Sequence, residues 1–581
     1  MSLLATNVTL ENHAECWHAI NWREANRMVR NLRRRIFRAT REGNIKKVRS
    51  LQKLLLKSFA NLVTSVRRCT QESQGKRTAG VDNRVALTPK ERWELVCELQ
   101  VLNDSIASPT RRVEIPKTNG KKRPLGIPTI TDRIRQAVVK NALEPHWEAQ
   151  FEPYSYGFRP GRSCHDAIAR IHKNLKQGSK GEPPRKQWVI DADIKGCFDN
   201  IDHEHLKRVI GNFPARKLIH TWLKAGYIRQ ENLPGKPKPV QTDAGTPQGG
   251  VISPLLANIA LHGLESALGV RYRWRNDKRQ ERGGYYDKHP TKSSNRTVIR
   301  YADDFIVLCE SKEDAQLAYK EANAFLSERG LHLSEEKTKI CHIDKGFEYL
   351  GFHIRRYQDS QRRSGYITLI KPAKQKVKEV KQKIREIWLQ MVGNTVESLV
   401  NKLNPIIRGW ANYYSHVVSS KTFAELDTWM FRRECRFANK RHPTKTNGWK
   451  NKRYFGRLNP NYPNQKWVFG SKETGAFVIK FSHTAIVRHN CVPFDDSPDN
   501  PDPLARKHFE KINDDEAKKL NKRRQKLARK QNFNCPHCGE SLFNGEPYDV
   551  HHIVPKKDGG SDYQNNLVIL HRECHKATHH G

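Results

Sequence analysis

A chain of 581 residues is too long for one hydrophobic core and is expected to divide into three or four domains. Its 105 Lys and Arg against 61 Asp and Glu leave a net charge of +44, which points to a polyanionic partner, nucleic acid first of all. No run of about 18 apolar residues offers a membrane span, and the opening MSLLATNVTLENHAECW lacks the basic-then-apolar order of a secretory signal. The twelve cysteines are scattered rather than spaced as a disulfide framework, so reduced thiols and a cytoplasmic location are expected.

Residues 26–69 carry fourteen Lys or Arg and a single acid, Glu42. Val48, Leu51, Leu55, Phe59, Leu62 and Val66 recur every three or four positions, so the second half of this stretch is expected as an amphipathic helix. Its charge suits a nucleic-acid backbone, although a solvated helix face has the same look. The segment 111–137 holds a basic, Gly-containing hairpin with Lys117, Lys121, Lys122 and Arg123. Lysine point charges and an arginine fork there can close over a triphosphate. Arg159 and Arg162 follow in the turn of YSYGFRPGRSCHDAI (154–168), either lining a template path or holding the turn itself.

In WVIDADIKGCFDNIDH (188–203), strand alternation puts Val189, Asp191 and Asp193 on one face and Trp188, Ile190, Ala192 and Ile194 on the other. Spacing alone does not choose between the two acids. In AGTPQGGVISPLLANIAL (244–261), Gly249 and Gly250 admit close backbone approach and Gln248 offers hydrogen bonds to a nucleotide or template. A polar, basic insertion fills 271–296. The rest of the chain is organised around VIRYADDFIVLC (298–309), which reads as a buried strand, a tight turn and a second strand. Asp303 and Asp304 at that turn repel one another and lose hydration, so they call for a strong cation. A hard ion such as Mg²⁺ takes oxygen ligands and leaves positions open for phosphates.

From residue 371 the pattern changes to basic helices in which Trp410, Tyr413 and Tyr414 interleave with Arg408. Such aromatics can stack on unpaired bases while cations hold phosphates; the alternative is that they are core. CVPFDDSPDNPDP (491–503) reads as an acidic linker, and KKLNKRRQKLARKQ (518–531) as a short basic helix suited to DNA phosphates. Cys535 and Cys538, with His571 and Cys574 as a second close pair, have zinc-site spacing. His551, His552, Asn566, His575 and His579 lie within or just beyond that span.

YADD inside an apolar hairpin resembles the catalytic motif of reverse transcriptases, and the other motifs match the same group in order. QGKRTAGVD (74–82), IPKTNGKKRPLGIP, YGFRPGRS, PQGGxxSPLLAN, LHLSEEKTKI (331–340), FEYLGFHI (347–354), RGWANYY and NGWKNKRYF (447–455) resemble those of group II intron-encoded proteins, including the thumb called maturase domain X. The resemblance implies that Lys117 and Arg123 touch the incoming nucleotide. It also selects Asp193, five residues before the bulky Phe198, as the third metal-binding acid, with Phe198 the filter that favours dNTPs. Asp193, Asp303 and Asp304 are then the ligands of two Mg²⁺ ions. Lys337 has either a role at the pyrophosphate or that of a surface ion pair.

The last fifty residues resemble HNH nucleases. That implies His552 as general base, His551 and His575 as ligands of a divalent ion, and Asn566 and His579 in support. Cys535, Cys538, His571 and Cys574 are the expected ligands of a structural Zn²⁺, the histidine being a departure from the commoner four-cysteine set. The expected fold is α+β: a right-hand polymerase of fingers, palm and helical thumb plus a small ββα-metal domain. The expected divisions are a basic helical extension at 1–90, fingers and palm at 91–370, thumb at 371–470, linker and DNA-binding segment at 471–530, and nuclease at 531–581. The expected partners are the intron RNA, a DNA target and dNTPs, with no membrane. A splicing maturase with a vestigial polymerase and an RNA-templated RNA polymerase are the alternatives; the intact acids and histidines speak against the first, Phe198 and the DNA nuclease against the second.

Overall fold

The computed structural model describes residues 13–100, 107–116, 120, 122–176, 185–229, 238–274, 288–290, 295–362 and 364–579. Lys117, Lys121 and most of the 271–296 insertion lie outside the described residues. The architecture is mixed α and β.

Three helices, Trp22–Arg41, Ile45–Leu56 and Phe59–Arg67, pack around the long helix Ile130–Glu148. The expected single helix through Val48 and Val66 is in fact two. Ser58 stops it, because its Oγ accepts from the Asn61 amide (3.4 Å) and caps a new helix in its own right. The apolar positions stay in register across the break, so Val48, Leu51, Leu55, Leu62 and Val66 are all buried.

The palm is a four-stranded antiparallel sheet in the order Thr297–Tyr301, Asp304–Cys309, Trp188–Asp193, Lys339–His342. Its strands are apolar almost throughout because both faces are covered. Alternate residues divide between two cores. Phe305, Val307, Ile190 and Ala192 pack with the N-terminal helices, whereas Ile306, Leu308, Val189 and Ile299 pack with the thumb. Asp191, Asp193 and Asp304 share the parity of the thumb side, at the edge where that core gives way to the cleft.

The fingers hairpin, Thr110–Pro116 with Lys122–Ile127, is extended in parallel by Tyr227–Arg229. A second three-stranded sheet, Phe347–Tyr349, Phe352–Gln358 and Tyr366–Pro372, joins palm to thumb. The thumb is the helices Lys374–Gln390, Val396–Tyr414, Ser420–Arg441 and Asn447–Tyr454. Tyr413 and Tyr414 serve that joint rather than lying open to bases. Tyr413 and Tyr414 donate to the carbonyls of Leu350 (2.9 Å) and Gly351 (3.1 Å), and Tyr413 stacks on Phe352.

The acidic 491–503 stretch is not a free connector. Phe494, Asp495, Asp496 and Asp499 are buried. Arg33 binds Asp499 (2.6 Å) and Arg41 binds Asp495 (2.8 Å), while Arg162 donates to the carbonyls of Phe494 and Asp496. Burying Asp495 and Asp499 is tolerable because each meets a guanidinium, while Asp496 accepts from Asn500 (2.7 Å), and the strap thereby removes part of the N-terminal basic face from any RNA. Beyond it lie the helices Pro503–Lys518 and Lys522–Lys530, then the antiparallel pair Tyr548–His552 and Leu567–His571 and the helix Arg572–Ala577. No helix among the described residues is long and apolar enough to cross a membrane.

Candidate functional site

The palm acids converge through sheet register. Asp193 lies opposite Asp304, and Tyr301 opposite Asp304 on its other side, which puts Asp303 at the turn. Ala302 takes a positive φ of 59° to make that turn so tight. Gly157 lies against it, and a Cβ there would overlap the Ala302 amide. The YSYGF segment therefore buttresses the acidic turn: Tyr156 N donates to Arg300 O and Arg300 N to Tyr154 O, both 2.9 Å. Buried Arg300 donates to Asn258 Oδ1 (2.8 Å) and Ala302 O (3.1 Å), and Asn258 donates to Gly157 O (2.8 Å). Sequence reading missed Arg300 and Asn258 as supports of the turn. An arginine within an apolar strand, three residues before the acid pair, was the available signal. Arg159 also resolves as a structural residue, fully buried on Glu148 (3.0 Å) and on the carbonyls of Glu152 and Ser155.

The electrostatics are those of an anion-crowded site. Burial, then the charges of Asp303 and Asp193, push the Asp304 carboxyl up to about 7; burial also raises Asp303, and raises Asp191 to about 6. Lys337 Nζ sits 2.7 Å from Asp193 Oδ2, which makes it an ion pair with a palm acid rather than a remote surface lysine. Half-buried, mutually repelling oxygens at one end of a sheet are a donor set that fits hard divalent ions.

The nucleotide-side residues gather nearby. Arg123 Nε donates to Gln248 Oε1 (2.8 Å), Gln248 O accepts from Gly126 N (2.7 Å), and Gly249 has a φ of 120° beneath Gly126. Phe198 is buried against Phe158, its backbone oxygen accepting from Thr246 N (2.6 Å). Phe198, Asp199, Pro247 and Gln248 line a cavity of about 120 Å³. Lys117 falls outside the described residues.

The C-terminal module holds two further clusters. Cys535, Cys538, His571 and Cys574 are buried with their ligand atoms within 4.8 Å of one another. No disulfide forms among the described cysteines. His571 presents Nδ1 to Cys538 Sγ at 3.3 Å while its Nε2 donates to Ser541 O (3.1 Å), the arrangement that fixes a metal-binding imidazole. Three thiols and one imidazole so placed fit Zn²⁺. The second cluster, His551, His575 and His579, is equally close and more exposed. His552 points elsewhere, with Nε2 2.8 Å from Asp562 Oδ1, and Asp562 also binds Lys556 (2.8 Å). Asn566 closes this loop by accepting from Val554 N (2.7 Å) and donating to the carbonyls of Val554 and Ser561 (both 2.9 Å). Asp562 is the residue sequence reading missed here, since nothing in its spacing distinguishes it from a surface acid.

Comparison with known proteins divides the chain in the same order. Residues 17–99 match the N-terminal domain of reverse transcriptase, and 115–354 match reverse transcriptase (RNA-dependent DNA polymerase). Residues 377–455 match the group II intron maturase-specific domain, and 535–581 match HNH endonuclease. Protein YkfC of Escherichia coli K12 is 36% identical over 313 residues, covering 50% of this chain and 79% of that protein. Group II intron-encoded protein LtrA of Lactococcus lactis subsp. cremoris is 33% identical over 375 residues, covering 53% of this chain and 60% of that one. Among solved structures, telomerase from Candida albicans in complex with a fragment of telomeric RNA aligns with a TM-score of 0.33 and 11% identity over 58% of each chain, too loosely to carry an argument. By these matches the chain, with its reverse transcriptase, maturase-specific and HNH endonuclease matches in one polypeptide, belongs to the group II intron-encoded proteins.

Proposed function

We propose that the chain copies RNA into DNA at the palm, binds a group II intron RNA and promotes its splicing, and nicks target DNA at its C-terminal module so that the new 3′ end primes copying. The observation that carries the polymerase reading is the meeting of Asp193, Asp303 and Asp304 at one end of the sheet. Two Mg²⁺ ions held by these carboxylates would supply an activated primer hydroxyl and a charge sink for pyrophosphate. The chain's own residues do the remaining work. Lys117 and Arg123 neutralise the triphosphate, and Gln248, held by Arg123, faces the nascent pair. Phe198 walls the sugar position, where a 2′-hydroxyl would clash, and so selects dNTPs. Lys337 pairs with Asp193 and holds it in position.

In the nuclease, His552 takes a proton from water, its other nitrogen oriented by Asp562. His551 and His575, joined by His579, are the residues that would hold one divalent ion, and Asn566 braces the loop between them and the base. Cys535, Cys538, His571 and Cys574 would hold a structural Zn²⁺. We assign the extension to 1–90, fingers and palm to 91–370, thumb to 371–470, the DNA-binding segment with its strap to 471–530, and the nuclease to 531–581.

The test is primer extension on an RNA template with Mg²⁺ and dNTPs, comparing wild type with Asp303→Ala plus Asp304→Ala, alongside splicing of an intron RNA. cDNA from wild type alone, with splicing by both, is the expected result. Splicing without cDNA from wild type would make the palm a relic and the protein an RNA-binding splicing factor.

A further inference from the structure

A cleft at the far end of the thumb belongs to neither reaction. The helix Ser420–Arg441 ends there, the helix Asn447–Tyr454 returns against it, and the turn 470–473 closes the third side over the start of the helix Val396–Tyr414. The space between them is about 530 Å³, inside the range of about 300–1,000 Å³ typical of sites that enclose small molecules.

Its wall is cationic and aromatic. Arg441, Lys452, Arg453 and Lys472 line it against two acids, Glu397 and Glu473. Both acids are engaged: Glu397 accepts from Thr474 Oγ1 (2.8 Å), and Glu473 pairs with Arg453 (2.9 Å). Arg441 donates to the Asn394 carbonyl and Lys472 to the Lys452 carbonyl (2.6 Å), so backbone oxygens hold these two cations in place without neutralising them. The flat element is Trp449, 39% exposed. It is braced edge-on by the His442 ring at 4.8 Å, and His442 Nε2 is in turn fixed by Tyr454 Oη (2.8 Å). An indole at the mouth of a recess, with four cations against two acids in the wall and Lys445 5.7 Å from its ring centre, is a surface for a π-face and a phosphate together.

We propose that this cleft takes a single unpaired nucleotide of bound RNA, its base laid on Trp449 and its phosphate held by Arg441, Lys452 and Lys472. The proposal rests on the RNA-binding reading above, because Arg441, Trp449 and Lys452 lie in the segment matched by the maturase-specific domain. A paired base has both faces covered by its stack, so a recess of this size is filled only by a base turned out of a loop, bulge or end.

The test is photo-crosslinking of the whole chain to a short single-stranded RNA carrying 4-thiouridine, with the labelled peptides mapped by mass spectrometry. Label is expected within 441–454, reduced about tenfold in Trp449→Ala, restored in Trp449→Phe, and weakened in Lys452→Gln. The last two variants keep the proposal testable if the alanine form does not fold. Label on the palm with none in 441–454 overturns the proposal. So does equal label there from the same RNA in a full duplex, or stronger label from DNA of the same sequence. Primer extension by the same preparations reads the polymerase independently: its absence in wild type counts against the function proposed above and leaves the mapped label at 441–454 to decide the cleft.

Discussion

Arg67 Nη2 donates to Cys574 Sγ at 2.8 Å, so the last turn of an N-terminal helix reaches one of the four proposed zinc ligands across 507 residues of sequence. The guanidinium is buried between the Trp22 ring (4.6 Å) and Glu72 (3.1 Å). Around it, Asn26 donates to Cys538 O (3.0 Å) and Arg30 to Gly539 O (3.1 Å), both on the turn that carries the first cysteine pair. Three thiolates and one imidazole around Zn²⁺ leave one excess negative charge, and an arginine hydrogen bond to a thiolate offsets it where water does not reach. Ligand set and domain joint are thus one structure. Arg67→Ala is expected to release zinc to a competing chelator about tenfold more readily, and to make the segment 503–531 cleave earlier in limited proteolysis. Zinc retention equal to wild type would show that the contact is packing only.

Phe198 is held from three sides: its backbone by Thr246, its ring by Phe158, and its helix start by Gly196 in a left-handed conformation with a φ of 56°. That fixity is what a steric filter needs, because a ring free to swing would admit the larger sugar. Phe198→Ala is expected to raise rNTP incorporation relative to dNTP by about ten- to a hundredfold, in line with contacts worth about 1–3 kcal/mol. Single-nucleotide primer extension with each triphosphate measures it. An unchanged ratio would place the filter elsewhere.

Much of this arrangement is legible in the sequence because it is local. The alternation of Ile306 and Leu308 against Phe305 and Val307 specifies a strand covered on both faces, and the register that follows brings Asp193 to Asp304. Cys535, Cys538 and the pair His571–Cys574 announce their cluster by spacing. What the sequence hides is partnership over distance. The strap at 491–503 has the composition of a linker, and only the fold reveals Arg33, Arg41 and Arg162 waiting for its acids and carbonyls. Tyr413 and Tyr414 look like base-stacking residues until Leu350 and Gly351 are seen to accept their hydroxyls. Asn258 hides for the same reason, since it ties Arg300 of the acidic turn to Gly157, 101 residues away in sequence.

The nuclease and polymerase share one polypeptide but no residues, and their activities should separate. His552→Ala is expected to lower DNA nicking by about a hundredfold or more, while extension of a primer supplied with its own 3′ end stays at the wild-type level. Asp562→Asn keeps the size of the side chain but weakens the hydrogen bond to His552 Nε2, so a partial loss of nicking, about tenfold, is expected. The same preparations assayed on nicked and intact duplex give both readings. Loss of extension on the nicked duplex would mean that the module's histidines support the palm.

Glu434 is buried in the thumb helix Ser420–Arg441, and burial pushes its carboxyl up to about 8, with Lys480 opposing and Asp427 adding to the shift. In the unfolded chain the same group ionises near 4.5. Between those two values the folded thumb retains a proton that the unfolded chain gives up. Raising the pH through this window therefore favours unfolding, by at most about 1.4 kcal/mol per pH unit. The thumb should be firmest below about pH 4.5 as far as this group is concerned, with the loss complete above about pH 8. Glu434→Gln carries the neutral form at every pH and should abolish that slope. Hydrogen exchange along Ser420–Arg441, followed from about pH 5 to about pH 9 with correction for intrinsic exchange, reads the helix without requiring the whole chain to melt as one unit. The two proteins should be closest at the acid end, diverge up to about pH 8 and keep a constant difference beyond it, the variant being the better protected. Parallel profiles would mean that Glu434 finds water or a cation when it ionises, and that its burial does not govern thumb stability.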